Sequence, residues 1–312
     1  MAACRNAAAT MAARLQFPAS RTDQLALAVT EAASNLHKHA ERGSLLLYVS
    51  REAEPPGIVL VTIDAGPGLA DVGTVWRDGH STAGTLGIGL GAIRRLADFC
   101  DLYSMPGRGT ALVARFWPAP CQPAIGYAGL IRPITGETEC GDAYGVVQTG
   151  ETVTALLCDG LGHGPLAAAA AGEAVAAVLE APADEPAALL TRAHRRLSGT
   201  RGGAMGIVQI TGRAARFAGL GNIAASILSA GSRKGMLSVP GIVGHQARTI
   251  RQYEYEVPPD AAIVLHSDGI SSRWDMAAVP GLDARDPLLI AAVLLAAAGI
   301  HRDDAGVLVL KP

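Results

Sequence analysis

The sequence predicts an α/β protein of two domains, and three observations carry that prediction. Its 312 residues are enough to bury two separate cores. A proline-dense break at Pro118, Pro120 and Pro123 follows one finished strand pattern and precedes another, which is how a linker reads. Across that break the pattern changes, from a helix-led first part to apolar strands that run into acidic residues. The expected division is residues 1–117, a short semi-rigid linker 118–123, and residues 124–312.

Composition narrows the function classes. Hydrophobic residues make up 49% and charged residues 17%, with a net charge of -2. Nothing there suits a polyanion, so neither nucleic acid nor an acidic membrane is expected as a partner. Five scattered cysteines (Cys4, Cys100, Cys121, Cys140, Cys158) form no C-x-x-C pair. That argues against a disulfide framework or a zinc site and for a reducing, cytoplasmic setting. The most apolar run, Pro287–Ile300, is too short to cross a bilayer and reads as a buried helix.

The elements follow in order. Met1–Leu15 reads as an amphipathic helix. Ser20 can cap a second helix, in which Leu25, Val29, Ala32 and Leu36 recur at steps of four, three and four. Two strands, Leu45–Ser50 and Ile58–Asp64, flank a turn with Pro55, Pro56 and Gly57. A glycine-rich loop, a helix over Ile88–Phe99 and a strand over Thr110–Trp117 close the first domain. In the second, Val153–Cys158 runs into Asp159-Gly160, Ile263–Ser267 runs into Asp268-Gly269, and Asp303-Asp304 leads into Val307–Leu310. Helices over Leu166–Leu179 and Ala187–Leu197, then glycine-punctuated short strands, lie between.

One constellation in the first domain suits a nucleotide. Glu31 and Asn35 are four apart and share a helix face. There a carboxylate can take a proton from a hydroxyl, and an amide oxygen can ligate magnesium, which accepts few protein ligands. Asp64-Ala65-Gly66-Pro67-Gly68 ends a strand, so its carboxylate can accept from an exocyclic amine while the glycines let backbone approach a flat ring. Gly84-Thr85-Leu86-Gly87-Ile88-Gly89-Leu90-Gly91 opens a helix, whose unpaired N–H groups make an anion cradle.

In this order and spacing the pieces resemble the GHKL ATPase superfamily, with Glu31–Asn35 as its N-box, Asp64–Gly68 and Gly87–Gly91 as its glycine boxes, and Gly107-Arg108-Gly109-Thr110 as its closing strand motif. Asp78-Gly79-His80-Ser81-Thr82 looks like the branch of anti-sigma-factor and stressosome serine kinases, the RsbT type. The resemblance implies a GHKL (Bergerat) α/β sandwich that binds ATP and Mg2+. It implies Glu31 as general base, Asn35 as magnesium ligand, Asp64 at the adenine with Gly66 and Gly68 beside it, Gly87, Gly89 and Gly91 at the phosphates, and Thr110 as a second contact near the base. Those kinases begin with a strand, whereas this sequence begins almost at the helix. His37 and His39 lie inside the N-box helix and read as solvent-facing rather than as phosphoacceptors.

The second constellation is carboxylate. Asp142, Asp159, Asp268 and Asp303 fall at the starts or ends of predicted strands, and such a set without cysteine or paired histidine suits magnesium or manganese. Two such ions can hold and activate a bridging water for attack on phosphorus. Glu139-Cys140-Gly141-Asp142, Cys158 to Gly164, His266 to Ile270 and Arg302-Asp303-Asp304 resemble the PPM phosphatases of the SpoIIE and RsbX type, with Gly221-Asn222 at the family's mid-domain turn. That resemblance implies a PPM α-β-β-α sandwich with two Mn2+ or Mg2+ ions. It puts Asp159 between the ions, Gly160 as carbonyl ligand, and Asp142, Asp268 and Asp303 around them. Asp304 is a ligand or a support for its neighbour, and His163 is an acid or a brace of its turn. Gly306 stands where the family has threonine.

Taken together, the two resemblances imply a partner-switching enzyme that phosphorylates and dephosphorylates a STAS-domain antagonist or stressosome-type protein. The alternative is an ATP-dependent partner-binding module with vestigial kinase activity, fused to an active phosphatase.

Overall fold

The computed structural model describes residues 1–51, 54–75, 89–120, 126–300 and 302–312. The chain divides into two compact units, Met1–Ala124 and Ile125–Pro312. Residues 121–123 of the expected linker, the Asp78–Thr82 motif and Gly84–Ile88, Gly87 included, lie outside the described residues.

The first unit opens with α1 (Ala2–Arg14) and α2 (Ala19–His39). Leu25, Ala28, Val29 and Ala32 of α2 are buried, as an apolar stripe of helical period requires. The start differs from expectation. Pro18 is the N-cap and Ser20 makes no capping bond. Proline's fixed φ already sets the extended cap conformation, and its carbonyl accepts from the Arg21 and Thr22 amides. Next come β1 (Ser44–Ser50), β2 (Gly57–Ile63), the single turn α3 (Val72–Val75), α4 (Gly89–Leu96), β3 (Phe99–Ser104) and β4 (Thr110–Phe116). The strands form one antiparallel sheet in the order β1-β2-β4-β3. The helix pattern overran here, since α4 stops at Leu96 and Phe99 opens β3, a strand the pattern missed. Asp98 sits between them, and its carboxylate accepts from the Trp117 amide at 2.8 Å and from the Arg21 guanidinium. That tie turns the chain back to the sheet. Ala8, Ala12, Leu25 and Val29 pack with Ile93 on the face made by Ile58, Leu60, Leu112 and Ala114, an α/β sandwich.

The second unit runs β5 (Gly126–Arg132), β6 (Asp142–Thr149), β7 (Thr152–Gly160), α5 (Pro165–Leu179), α6 (Pro186–Arg196), β8 (Gly203–Thr211), β9 (Ala214–Leu220), β10 (Ala224–Ser229), β11 (Ser232–Met236), β12 (Gln252–Glu256), β13 (Ala262–His266), α7 (Pro287–Ala298) and β14 (Ala305–Lys311). Two antiparallel sheets result, β11-β10-β13-β14-β5 and β12-β9-β8-β7-β6. Strand alternation explains the layers. Ala155 and Leu157 of β7 face Ile263, Leu265, Leu308 and Leu310 between the sheets, while Leu156 and Cys158 turn outward to Ala171, Ala174 and Leu189 of α5 and α6. Buried α7 packs on β5 and β14 of the other sheet. This is an α-β-β-α sandwich. Among the described residues no helix is long and apolar enough to cross a membrane.

Candidate active sites

In the first unit Glu31 and Asn35 stand one turn apart on α2, both half-buried. Among the described residues the Glu31 carboxylate makes no hydrogen bond or ion pair. The Asn35 Nδ2 atom is buried without a partner; a half-turn of the amide puts an acceptor oxygen there instead, which a cation would satisfy. His37 and His39 are exposed at the helix end.

Asp64 follows β2 directly. Its Oδ1 accepts from the Gly66 amide at 2.7 Å, and its own amide donates to the Thr110 carbonyl at 3.0 Å. Burial pushes its carboxyl above the ordinary range, while the backbone contacts to Gly66 and Thr110 act in the opposite direction. Gly68 has φ +66, and a Cβ there would lie 2.0 Å from the Met105 carbonyl oxygen. Only glycine fits so close an approach. Gly89 and Gly91 sit in the first turn of α4, and among the described residues no atom lies within 4 Å of a Cβ built at Gly89.

The sequence did not single out Ser104. Its hydroxyl accepts from the Leu69 amide at 2.8 Å, donates to the Gly109 carbonyl at 2.9 Å and lies 2.9 Å from Thr110 Oγ1. It therefore pins the Asp64 loop to the strand that carries Thr110. Its only signal was a serine in a strand that had gone unseen.

In the second unit a surface cleft of about 610 Å³ is lined by Asp159, Asp268, Asp303, His163, Asn222 and Arg302, among others. Three of the four expected aspartates therefore share a cleft. The fourth, Asp142, does not line it but lies buried behind, directly across the ladder from Asp159. Like charges placed opposite one another in a ladder repel, so this register calls for a counter-charge.

The electrostatics agree. Burial, then the neighbouring aspartates, holds Asp159 far above the ordinary carboxylate range. Burial also raises Asp142, against the Ser267 hydroxyl that donates to its Oδ2 at 2.6 Å. Asp142 Oδ1 is buried and has no partner at all. Asp303 is raised by burial and by Asp268. An orphaned carboxylate oxygen beside mutually repelling acids fits a hard divalent cation. Among the described residues no three such side chains are gathered closely enough to hold an ion alone. Water would then complete the coordination, as Mg2+ prefers.

Ser267 was not singled out in the sequence, and the bonds made by Asn222 and Asp304 were not legible there. Asn222 donates to Asp268 Oδ2 at 2.7 Å. Ser267, which holds Asp142, accepts from the Gly306 amide at 2.9 Å. A Cβ at Gly306 would lie 2.9 Å from Asp142 Oδ2, so Ser267 supplies a hydroxyl to Asp142 where the chain lacks the family threonine. Asp304 gives both oxygens to backbone, to the Ile134 amide at 2.7 Å and the Gly141 amide at 2.8 Å, so its observed bonds are those of a brace. The Gly160 position needs glycine because a Cβ would meet the Ala167 carbonyl of α5 at 2.3 Å.

Comparison with known proteins follows the same division. Residues 1–116 match the family described as Histidine kinase-like ATPase domain, and residues 149–311 match Stage II sporulation protein E (SpoIIE). Over 115 residues the chain is 32% identical to the serine/threonine-protein kinase RsbT of Bacillus subtilis (strain 168), spanning 37% of this chain and 86% of that protein. A solved chain from the bacterial stressosome, described as a modular system adapted to control secondary messenger signaling, aligns with TM-score 0.55 and 28% identity. It covers 60% of this chain and 99% of its own length. RsbX in complex with magnesium aligns with TM-score 0.51 over 59% of this chain and 94% of that one; at 17% identity the likeness is one of fold.

Proposed function

The chain belongs to the SpoIIE family through its C-terminal half, behind an RsbT-like kinase domain, and from that premise we propose that it works both ways on one phosphosite. The kinase half phosphorylates a serine or threonine of a STAS-domain antagonist or stressosome-type protein, and the phosphatase half removes that phosphate. The observation that carries the reading is the conjunction, in one chain, of the Glu31/Asn35 pair on α2 with the cleft of Asp159, Asp268 and Asp303. Fusion fixes the two activities at one to one, so control acts on activity rather than abundance.

In the kinase half Asp64 receives the adenine amine, Gly66 and Gly68 let the loop lie against the ring, and Thr110 makes a second contact near the base. Gly87, Gly89 and Gly91 would hold the phosphates, and Asn35 would ligate Mg2+. Glu31 takes the proton from the substrate hydroxyl as its oxygen bonds to the γ-phosphorus of ATP and ADP leaves. In the phosphatase half Asp142, Asp159, the Gly160 carbonyl, Asp268 and Asp303 would hold two Mn2+ or Mg2+ ions, which supply charge neutralisation and an acidified water. Ser267 and Asn222 aim Asp142 and Asp268, and Asp304 clamps the two ends of the β5–β6 connection, at Ile134 and Gly141.

Phosphosite mapping tests this directly. The full chain is incubated with ATP, a divalent metal and a STAS-domain protein, as parent, Glu31→Ala and Asp159→Ala. Asp159→Ala should accumulate phosphorylated partner, and Glu31→Ala should clear partner phosphorylated beforehand at the same residue. Action on different residues would end the shared-site reading.

A further inference from the structure

The aspartates account for only part of the phosphatase cleft. Ile134, Leu161, Pro240 and Ile242 line it too, and apolar side chains offer a hard cation nothing to bind. Leu161 comes directly after Asp159-Gly160 and is 43% exposed, whereas Leu156 and Leu157 of the same run are fully buried. Backbone bonds hold it there. The Leu161 amide donates to the Gly202 carbonyl at 3.0 Å. The next residue, Gly203, pairs with Gly160 on one side and with Val243 on the other, exchanging bonds of 3.1 and 2.8 Å with Val243. Ile242 precedes that bridge, and its amide donates to the Gln246 carbonyl at 2.7 Å to close a turn. Leu161 and Ile242 are thus fixed on two segments with Gly203 between them. Gly203 has no side chain to fill the gap and cannot acquire one, since a Cβ there would lie 2.4 Å from the Asp159 carbonyl oxygen. The result is a slot with aliphatic sides and a glycine floor.

An exposed leucine is not by itself a site. Leu161 and Ile242 differ because they line the same cleft as Asp159 and Asp268. Consecutive Cα atoms are about 3.8 Å apart, so a phosphoserine that reaches those acids draws its chain neighbours along the same wall. From this placement we infer that the slot between Leu161 and Ile242 receives an aliphatic side chain next to the phosphoresidue. The preferred substrate is then a phosphoserine or phosphothreonine segment with an aliphatic neighbour. The inference rests on the phosphatase reading and names the kind of segment that site selects. Leu161 and Ile242 touch the neighbour and not the reacting phosphorus, so they set discrimination between segments and leave the chemistry to the acids.

Paired phosphopeptides test the slot, using the full chain with Mn2+. The two peptides differ only at the residues flanking the phosphoserine, which are leucine in one and serine in the other. Serine is the comparison because Arg302 also lines the cleft and would attract an acidic neighbour. The parent should favour the leucine peptide by about tenfold in kcat/KM, as burial of most of one aliphatic side chain implies, with the difference mainly in KM. Leu161→Ser should cut that preference to roughly threefold or less, Ile242→Ser should reduce it by a smaller factor, and Leu161→Met should retain it. The preference is a ratio taken within each variant, so a general loss of activity does not imitate the expected result. Ile242→Ser, placed outside the turn after β7, carries the test if Leu161→Ser does not fold. A parent that hydrolyses the two peptides equally would overturn the slot and leave the phosphatase standing. A parent that hydrolyses neither would overturn both. A preference undiminished in the serine variants would overturn the assignment to Leu161 and Ile242.

Discussion

The two sites of this chain handle buried charge in opposite ways. At Asp64 the fold supplies its own relief: backbone contacts to Gly66 and Thr110 work against the desolvation of a single carboxyl. At Asp159 the neighbours add to the penalty, because Asp142, Asp268 and Asp303 all raise it further. The first site is electrostatically settled as folded, which suits the proposed nucleotide. The second is in conflict as folded, which suits the proposed cations. A buried polar group without a partner is costly, so the unpartnered Asp142 Oδ1 is the atom a cation would relieve most.

That contrast can be broken at its strongest point first. Asp159→Ala should abolish phosphatase activity, because a cation interaction of several kcal/mol is lost, roughly a thousandfold in rate; kinase activity should persist. Near-parental phosphatase activity in this variant, measured on a phosphopeptide, would remove the cation from the account. Smaller is the effect of the supports. Ser267→Ala and Asn222→Ala should each weaken divalent-metal binding by about 10–100-fold, read by calorimetry on the full chain, with ATP binding unchanged. If either also weakened ATP binding, the sites would not be separate.

The smallest effect concerns pH. Asp142, Asp159 and Asp303 are all raised in the folded, metal-free protein, so over that range the folded state binds more protons than the unfolded chain. Their contribution to stability is therefore present below the ordinary carboxylate range, about 4, and is lost as pH rises through the raised values. Thermal unfolding of the metal-free chain should show a Tm that falls with rising pH. Asp159→Asn should flatten the fall, and added Mn2+ should reverse it most at high pH. A Tm that climbs with pH across this range would contradict the conflict among these acids.

Much of this was legible beforehand, and the reasons are local. The α2 stripe, the β7 run into Asp159-Gly160 and the β13 run toward Asp268 follow from periodicities of 3.6 and 2. β3 was hidden because Phe99–Ser104 is a half-exposed edge strand with weak alternation, and the turn before it is made by Asp98 reaching Trp117, nineteen residues along the chain. Ser267 as the partner of Asp142 joins residues 125 apart in sequence, and no spacing rule reaches that far.

The sequence by itself determined the two units, their secondary-structure periods and the residue types each site would need, because those depend on neighbours a few positions away. Only the tertiary structure decided which acids share a cleft and which one lies behind it. It alone showed that Asp304 braces backbone and that Ser267 and Asn222 hold the carboxylates. Those assignments depend on the register of the β6–β7 ladder and on how the turns after β7 and β13 meet the entry to β14. Such contacts form between segments far apart in the chain, where burial and charge repulsion, rather than local propensity, set the arrangement.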